Sequence, residues 1–283
     1  MKPSITLLGT GGPRPDITRG GTSLLIRYGD DMILIDAGRG VVKQLSALKI
    51  PLAKLTKMLV THHHYDHIGE LHDVIITSWL LGRKDPLQIY GPPETRRIVD
   101  ALFTQIYDKD IEFRVAGEPV NGAFVPAAVT EVTSGLVYAT DRYRIFTEQV
   151  NHGNDLAFSD AFRRRWTCLG FRFECEDGVI AFSGDTVDCD GLSRIAANAD
   201  ILVQCCYLAR SEIVGEHLKR IAKYTLASAD TVAGIASRAG VKTLVLTHHR
   251  EKSAALIDEM KADVQREFSG EVMIGTDLLT VSC

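Results

Sequence analysis

Thr61-His62-His63-His64-Tyr65-Asp66-His67-Ile68-Gly69-Glu70 follows a short apolar run, Lys57 to Val60, and opens into a segment of helical character, Leu71 to Leu81. Four histidines and an aspartate within six positions fit poorly in a core. Without a partner each would cost a few kcal/mol on burial. A metal ion satisfies all of them at once, because imidazole and carboxylate are the usual ligands of zinc, manganese and iron. The competing reading is a solvated polar loop, and the strand–loop–helix context favours the metal site.

Working outward, Ser4 to Leu8 reads as a strand ending in Gly9-Thr10-Gly11-Gly12-Pro13. That loop lacks the lysine and the following helix of a phosphate-binding loop. Thr22 to Tyr28 and Met32 to Ile35 flank Gly29-Asp30-Asp31, the composition of a hairpin. It ends in Asp36-Ala37-Gly38, after which Val41, Leu45 and Leu48 keep helical spacing. Downstream, Leu87 to Tyr90 predicts a strand, Glu94 to Ile106 a helix, and Glu112 to Val115, Ala128 to Val132 and Tyr143 to Val150 three more strands.

The second half resembles the first. Thr167 to Glu174 and Val179 to Phe182 read as a hairpin ending in Ser183-Gly184-Asp185-Thr186. Helices are expected at Leu192 to Ala197, Ser228 to Ala239 and Ala254 to Phe268, and strands at Ile201 to Cys205, Thr243 to Thr247 and Val272 to Ile274. No linker, charge block or low-complexity tract interrupts this order, so one domain over 1–283 is expected, an α/β fold with a sheet-on-sheet core and helices outside.

Composition bounds the partners. Of 283 residues, 45% are hydrophobic and 24% charged, as in an ordinary globular chain. A net charge of −4 argues against a generally basic surface and hence against nucleic acid as a partner. No apolar run approaches the roughly 20 residues that cross a bilayer, and the N-terminus meets glycine too early for a signal peptide. Six cysteines without a CxxC pair suggest the reducing cytoplasm. Adjacent Cys205 and Cys206 read as small buried residues at a strand end rather than as soft metal ligands.

Other candidate ligands sit where apolar strands have just ended: His152 after Phe146 to Val150, Asp185 after Ala181 to Gly184, and His248 after Leu244 to Thr247. Singly, each reads as a surface loop residue. Beside the histidine stretch, that reading loses its force.

The set His62-x-His64-x-Asp66-His67, His152, Asp185 and His248 resembles the metallo-β-lactamase superfamily over essentially the whole chain, including Leu8-Gly9-Thr10-Gly11 and Ile35-Asp36-Ala37-Gly38. Within it the ribonuclease Z and arylsulfatase-like branch is most similar. The resemblance implies a four-layer αβ/βα sandwich with its site at one edge of two packed sheets. It implies that His62, His64 and His152 hold one divalent ion, that Asp66, His67 and His248 hold a second, and that Asp185 bridges them. Zinc is the first choice, with manganese and iron as alternatives. Two ions so placed can share a hydroxide and clamp both sides of a displacement. Asp66 could also orient that hydroxide or take up a proton, Asp36 matches a position that orients a ligating imidazole, and His249 is a candidate for substrate contact or proton donation. A homodimer is implied by the same analogy.

The chain departs from ribonuclease Z where that family carries a His-Glu relay: here the strand end reads Val203-Gln204-Cys205-Cys206-Tyr207, and Tyr224 to Ser228 contains no histidine. Tyr207 and Tyr224 offer hydroxyls instead, and His217 reads as a surface helix position. Asn154 to Trp166 combines aromatics with Arg163-Arg164-Arg165, and Pro13 to Arg19 adds arginines, which suits an anionic or aromatic small molecule. The expectation is a dinuclear hydrolase of a small-molecule ester, lactone, amide or phosphate or sulfate ester. The alternative is a phosphodiesterase or ribonuclease Z-like nuclease. A di-iron redox protein and a binding protein without catalysis rank lower, for want of a flavin domain and because the ligand set is complete.

Overall fold

In each half of the chain a hairpin marked by its turn residues feeds a run of parallel strands. The computed structural model describes residues 2–118 and 122–283. The first sheet contains β1 (Ser4–Gly9), β2 (Ser23–Tyr28), β3 (Asp31–Ile35), β4 (Lys57–Leu59), β5 (Leu87–Gly91) and β6 (Ala127–Glu131). The second contains β7 (Gly135–Ala139), β8 (Tyr143–Val150), β9 (Cys168–Cys175), β10 (Gly178–Phe182), β11 (Ile201–Cys205), β12 (Thr243–Thr247) and β13 (Glu271–Ile274), and β14 (Thr280–Ser282) returns to the first. The strand orders are β14-β1-β2-β3-β4-β5-β6 and β13-β12-β11-β10-β9-β8-β7.

Both sheets change character at the hairpin. β1, β2 and β3 pair antiparallel, then β3 to β6 run parallel. β8, β9 and β10 pair antiparallel, then β10 to β13 run parallel. Alternation along the strands assigns the faces: Ile5, Leu24, Ile33 and Ile35 meet Ile145, Phe171, Phe173 and Val203 between the sheets. The opposite faces are also apolar, as expected where helices cover a parallel sheet. Leu25, Leu34 and Met58 lie beneath the helices Val41–Ala47 and Leu71–Leu80, and Leu202, Leu244 and Leu246 beneath Ala229–Ala239 and Ala254–Gln265. The result is the four-layer αβ/βα sandwich of the metallo-β-lactamase fold.

Strand direction puts the candidate residues together. β3 and β4 end at one edge of their sheet, and β10, β11 and β12 end at one edge of theirs. Two antiparallel steps give β8 the direction of β10, so it ends there too. Backbone hydrogen bonds tie the sheets at this edge: Leu169 N–H donates to Thr61 O (2.9 Å), and His249 N–H donates to Thr10 O (2.8 Å).

Four segments differ from expectation. Glu112 to Val115 is not a strand but part of the helix Asp108–Gly117, where Arg114 pairs with Asp110 and Glu118 one turn away on either side and no residue is buried. Its β-branched and aromatic residues have no sheet to join. The edge strands β7 and β14 were not anticipated, and of the helix Gly215–Tyr224 only the position of His217 was expected to be helical; the helix buries no residue fully. Among the described residues no helix is long and apolar enough to cross a membrane.

Candidate metal centre

Asp36 organises the histidine loop. It follows β3, is fully buried, and accepts from Thr61 N–H (2.8 Å), from the Thr61 hydroxyl (2.7 Å) and from His67 Nδ1–H (2.7 Å). Because the Thr61 hydroxyl donates to Asp36, its oxygen is left to accept from His62 Nδ1–H at 3.0 Å. His152 Nδ1–H donates to the Thr225 carbonyl at 2.6 Å. One nitrogen of each of these three rings is thereby committed, and the other faces inward. Asp185 follows Gly184, whose φ of +60° and a 2.5 Å approach of a would-be Cβ to Leu169 O leave room for glycine alone.

Two groups of donor atoms result, His62, His64, His152 and Asp185 in one and Asp66, His67 and His248 in the other, each with its donor atoms within 4.8 Å of one another. In the first, His64 Nδ1 lies 3.0 Å from His62 Nε2 and 3.3 Å from His152 Nε2. His64 has at most one proton to offer there, so three nitrogens crowd together with too few hydrogens. In the second, Asp66 Oδ2, His67 Nε2 and His248 Nε2 are buried without a hydrogen bond. Asp185 reaches both groups: its Oδ1 is 3.5 Å from His67 Nε2, and its Oδ2 is 3.0 Å from His248 Nε2 and 3.9 Å from His152 Nε2. Unpaired buried donors of nitrogen and carboxylate type are what two divalent ions would satisfy.

The electrostatics divide the same way. Burial, with neighbouring imidazoles, pushes His62 well below the usual imidazole range and His64 down to about 4, so both are neutral and free to ligate. Burial opposes protonation of His67 and His248 as well, but there Asp185 outweighs it, with Asp36 helping at His67 and Asp66 at His248. His67 is held well above the usual range, and His248 is raised to about 9. Asp185, with Asp36 and Asp66, thus keeps protons on the imidazoles of the second group, where a cation would sit.

The centre opens into a cavity of about 300 Å³ walled by Pro13, Tyr65, Tyr207, Ile221, Thr225 and Leu226. Tyr207 is on this wall, 6.1 Å ring to ring from His248. Gln204 and Cys205, where the relay would stand, are buried, and Cys206 packs under the helices. His63 turns away, to the Thr95 hydroxyl at 2.8 Å. His249 does not join the centre either: it is buried, its Nε2–H donates to Leu246 O (2.9 Å), and burial pushes its ring down to about 3. His217 lies on the exposed side of the helix Gly215–Tyr224. That helix precedes Thr225 and Leu226 and supplies Ile221 to the cavity; the alternation of Leu218, Ile221 and Ala222 with charged residues marks its full extent.

Residues 31–249 match the model of the β-lactamase superfamily domain. Ribonuclease Z of Mycobacterium marinum is 38% identical over 97% of this chain and 96% of its own length. Among solved structures, the metallo-β-lactamase fold protein YhfI of Bacillus subtilis superposes with a TM-score of 0.76 at 18% identity, covering 100% of both chains. Short-form human tRNase Z superposes with 0.73 at 22% identity, covering 99% of this chain and 98% of that one. The full-length kinship with a ribonuclease overturns the expectation that nucleic acid is no partner. Net charge was the wrong guide, because phosphate contacts depend on the charge beside the site and not on the total. The chain belongs to the metallo-β-lactamase superfamily, as a metal-dependent hydrolase homologous to ribonuclease Z.

Proposed function

We propose that this protein is a dinuclear metal phosphodiesterase acting on RNA, with zinc as the first choice of metal and manganese or iron accepted by the same donors. The carrying observation is Asp185, within 3.0–3.9 Å of nitrogens in both donor groups, so that two cations would sit side by side beneath one cavity. Two divalent ions, when bound, activate a water and offset the charge that builds on phosphoryl oxygens. His62, His64 and His152 would hold one and Asp66, His67 and His248 the other. Kinship with ribonuclease Z supports RNA as the diester.

The protein's own groups supply the rest. Asp36 locks His67 with its Nε2 facing the centre. Asp66, with Oδ2 3.4 Å from His248 Nε2, is the carboxylate placed to orient the attacking water or take its proton. Apolar side chains on the cavity wall thin the water around the reacting phosphate. With no histidine at position 204, the hydroxyl of Tyr207 is the group we assign to protonate the leaving oxygen. Six free cysteines fit the cytoplasm, and the core shared by both sheets supports a single domain.

The test sets metal-loaded protein against an RNA oligonucleotide, bis(p-nitrophenyl) phosphate, a lactone, a β-lactam and an aryl sulfate. Cleavage of both phosphodiesters, reduced at least about 100-fold by Asp185→Asn, is expected. Turnover of the lactone or sulfate with neither phosphodiester touched would refute it.

A further inference from the structure

Beside the cavity, the segment from Leu156 to Trp166 carries a row of rings outward from the metal centre. Trp166 anchors it: its Nε1–H donates to the carbonyl of His152 (2.8 Å), and its ring lies 4.9 Å from that of His64. Phe162 stacks on Trp166 at 5.4 Å with 22° between planes, and Phe158 follows at 4.5 Å. Trp166 packs on the buried cluster of Val150, Cys168 and Leu192, while Phe162 is 38% exposed, so the row runs from the core to an open aromatic surface.

The charges around it suit an anion. Several surface arginines have carboxylate partners, as in Arg114 with Asp110, Arg142 with Asp31, Arg194 with Glu148 and Arg238 with Asp188, while exposed Arg14, Arg27 and Arg96 have none among the described residues. Arg163 and Arg164, next to Phe162, are exposed and pair with no carboxylate among the described residues; Arg163 donates only to the Leu156 carbonyl. Arg165 holds the segment in place through a bidentate pair with Glu94. Across the cavity, exposed Arg220 follows the same pattern, beside Ile221 on the wall. Unpaired guanidinium groups next to an exposed ring match a ligand that alternates flat bases with phosphates.

We infer that the segment Leu156 to Trp166 is a docking platform for single-stranded RNA, with a base stacked on Phe162 and the flanking phosphates on Arg163 and Arg164. It rests on the phosphodiesterase reading and deepens it: the platform would hold the nucleotide next to the bond being cut. Only an unpaired strand offers the face of a base to Phe162.

The test is fluorescence anisotropy of metal-loaded full-length protein with a fluorescein-labelled single-stranded RNA 12-mer, titrated at several salt concentrations. Cleavage of the same RNA and of bis(p-nitrophenyl) phosphate is followed in parallel. Phe162→Ala is expected to weaken RNA binding about tenfold, and Phe162→Trp to restore it. Arg163→Gln with Arg164→Gln is expected to flatten the log–log salt dependence by about 1.4, roughly 0.7 for each lost phosphate contact. In both, the rate on RNA relative to bis(p-nitrophenyl) phosphate falls through KM and not kcat. If RNA is cleaved but affinity and salt slope ignore these substitutions, the platform is refuted while the phosphodiesterase reading stands. If neither diester is cleaved, the functional reading fails and the platform with it. A shift from dimer to monomer in sedimentation on Phe162→Ala would assign the surface to a second copy of this chain and overturn the proposal.

Discussion

Asp36→Asn is the most informative single substitution, because it changes one atom of a buried hub and has separable consequences. The native carboxylate receives three donors, Thr61 N–H, the Thr61 hydroxyl and His67 Nδ1–H. An asparagine can keep its oxygen toward Thr61 N–H, but its NH2 then meets the Thr61 hydroxyl and His67 Nδ1. Two donors cannot face each other, so His67 is pushed to the tautomer with its proton on Nε2, the nitrogen that faces Asp66 and Asp185 at 3.8 and 3.5 Å. That proton occupies the lone pair a cation needs. Loss of an orienting carboxylate of this kind costs about 10–100-fold in metal affinity, and the cost should fall on the group Asp66, His67 and His248 alone. Asp36→Ala, by contrast, strands buried donors at about 1–3 kcal/mol each. The Thr61 hydroxyl can turn elsewhere, which leaves two donors and roughly 2–6 kcal/mol of lost stability. Zinc titration by calorimetry should therefore show one tight and one weakened site in Asp36→Asn, with its thermal midpoint close to the native one, and a large drop in midpoint for Asp36→Ala. Two undiminished sites in Asp36→Asn would show that His67 is not held by Asp36 in the way its geometry indicates.

Removing metal with a chelator should lower the thermal midpoint, and either zinc or manganese should restore it; with free metal at a thousand times Kd the linkage is worth about 4 kcal/mol. Tyr207→Phe should slow RNA cleavage by about 100-fold, and slow bis(p-nitrophenyl) phosphate less, because p-nitrophenolate leaves without a proton; equal losses on both substrates would remove Tyr207 from the proton-donating role. Glu212 gives a pH test away from the centre. It pairs with the fully buried Lys252 and with Arg250, and although burial raises its carboxyl, these partners and Ala209 N–H hold it below the usual range. A depressed carboxyl contributes stability above its unfolded pKa of about 4.5 that is lost as pH falls through the folded value. Glu212→Gln should thus lower the stability measured by urea denaturation at pH 7, and the gap to the native protein should narrow as pH falls below about 4.5.

Much of the centre was legible because metal chemistry needs residue types that an apolar strand does not otherwise end on. His62, Asp185 and His248 each come at the end of a run of buried residues, His152 comes after a strand of alternating burial, and the hairpins before Asp36 and Asp185 are marked by glycine turns at Gly29 and Gly178. What stayed hidden follows from the same physics. β7 and β14 are short edge strands exposed on one side, so they lack the two-sided apolar pattern that marks β3 or β11. Helix Gly215–Tyr224 is half-solvated, and its apolar residues Leu218, Ile221 and Ala222 are only partly buried against the small cluster of Cys205, Tyr207, Leu208 and Leu226.

His249 and Arg164 show where neighbourhood in sequence misleads. His249 looked like a second functional histidine because it adjoins His248. His248, however, sits at φ +61°, a left-handed turn that sends the two rings to opposite sides. One ring enters the centre and the other is sealed beneath it against Leu246 O. Arg164 is the converse. In sequence its segment suits an anionic small molecule, while the net charge of −4 argues against nucleic acid, but the total says little about one site, since charges separated by more than about 10 Å are largely screened at ordinary salt. Arg142, Arg194 and Arg238 are each matched by a carboxylate, and Arg165 by Glu94, while Arg163 and Arg164 have none among the described residues. The acidic total and a local affinity for phosphate are therefore compatible, and the pairing pattern, which only the fold reveals, decides between them.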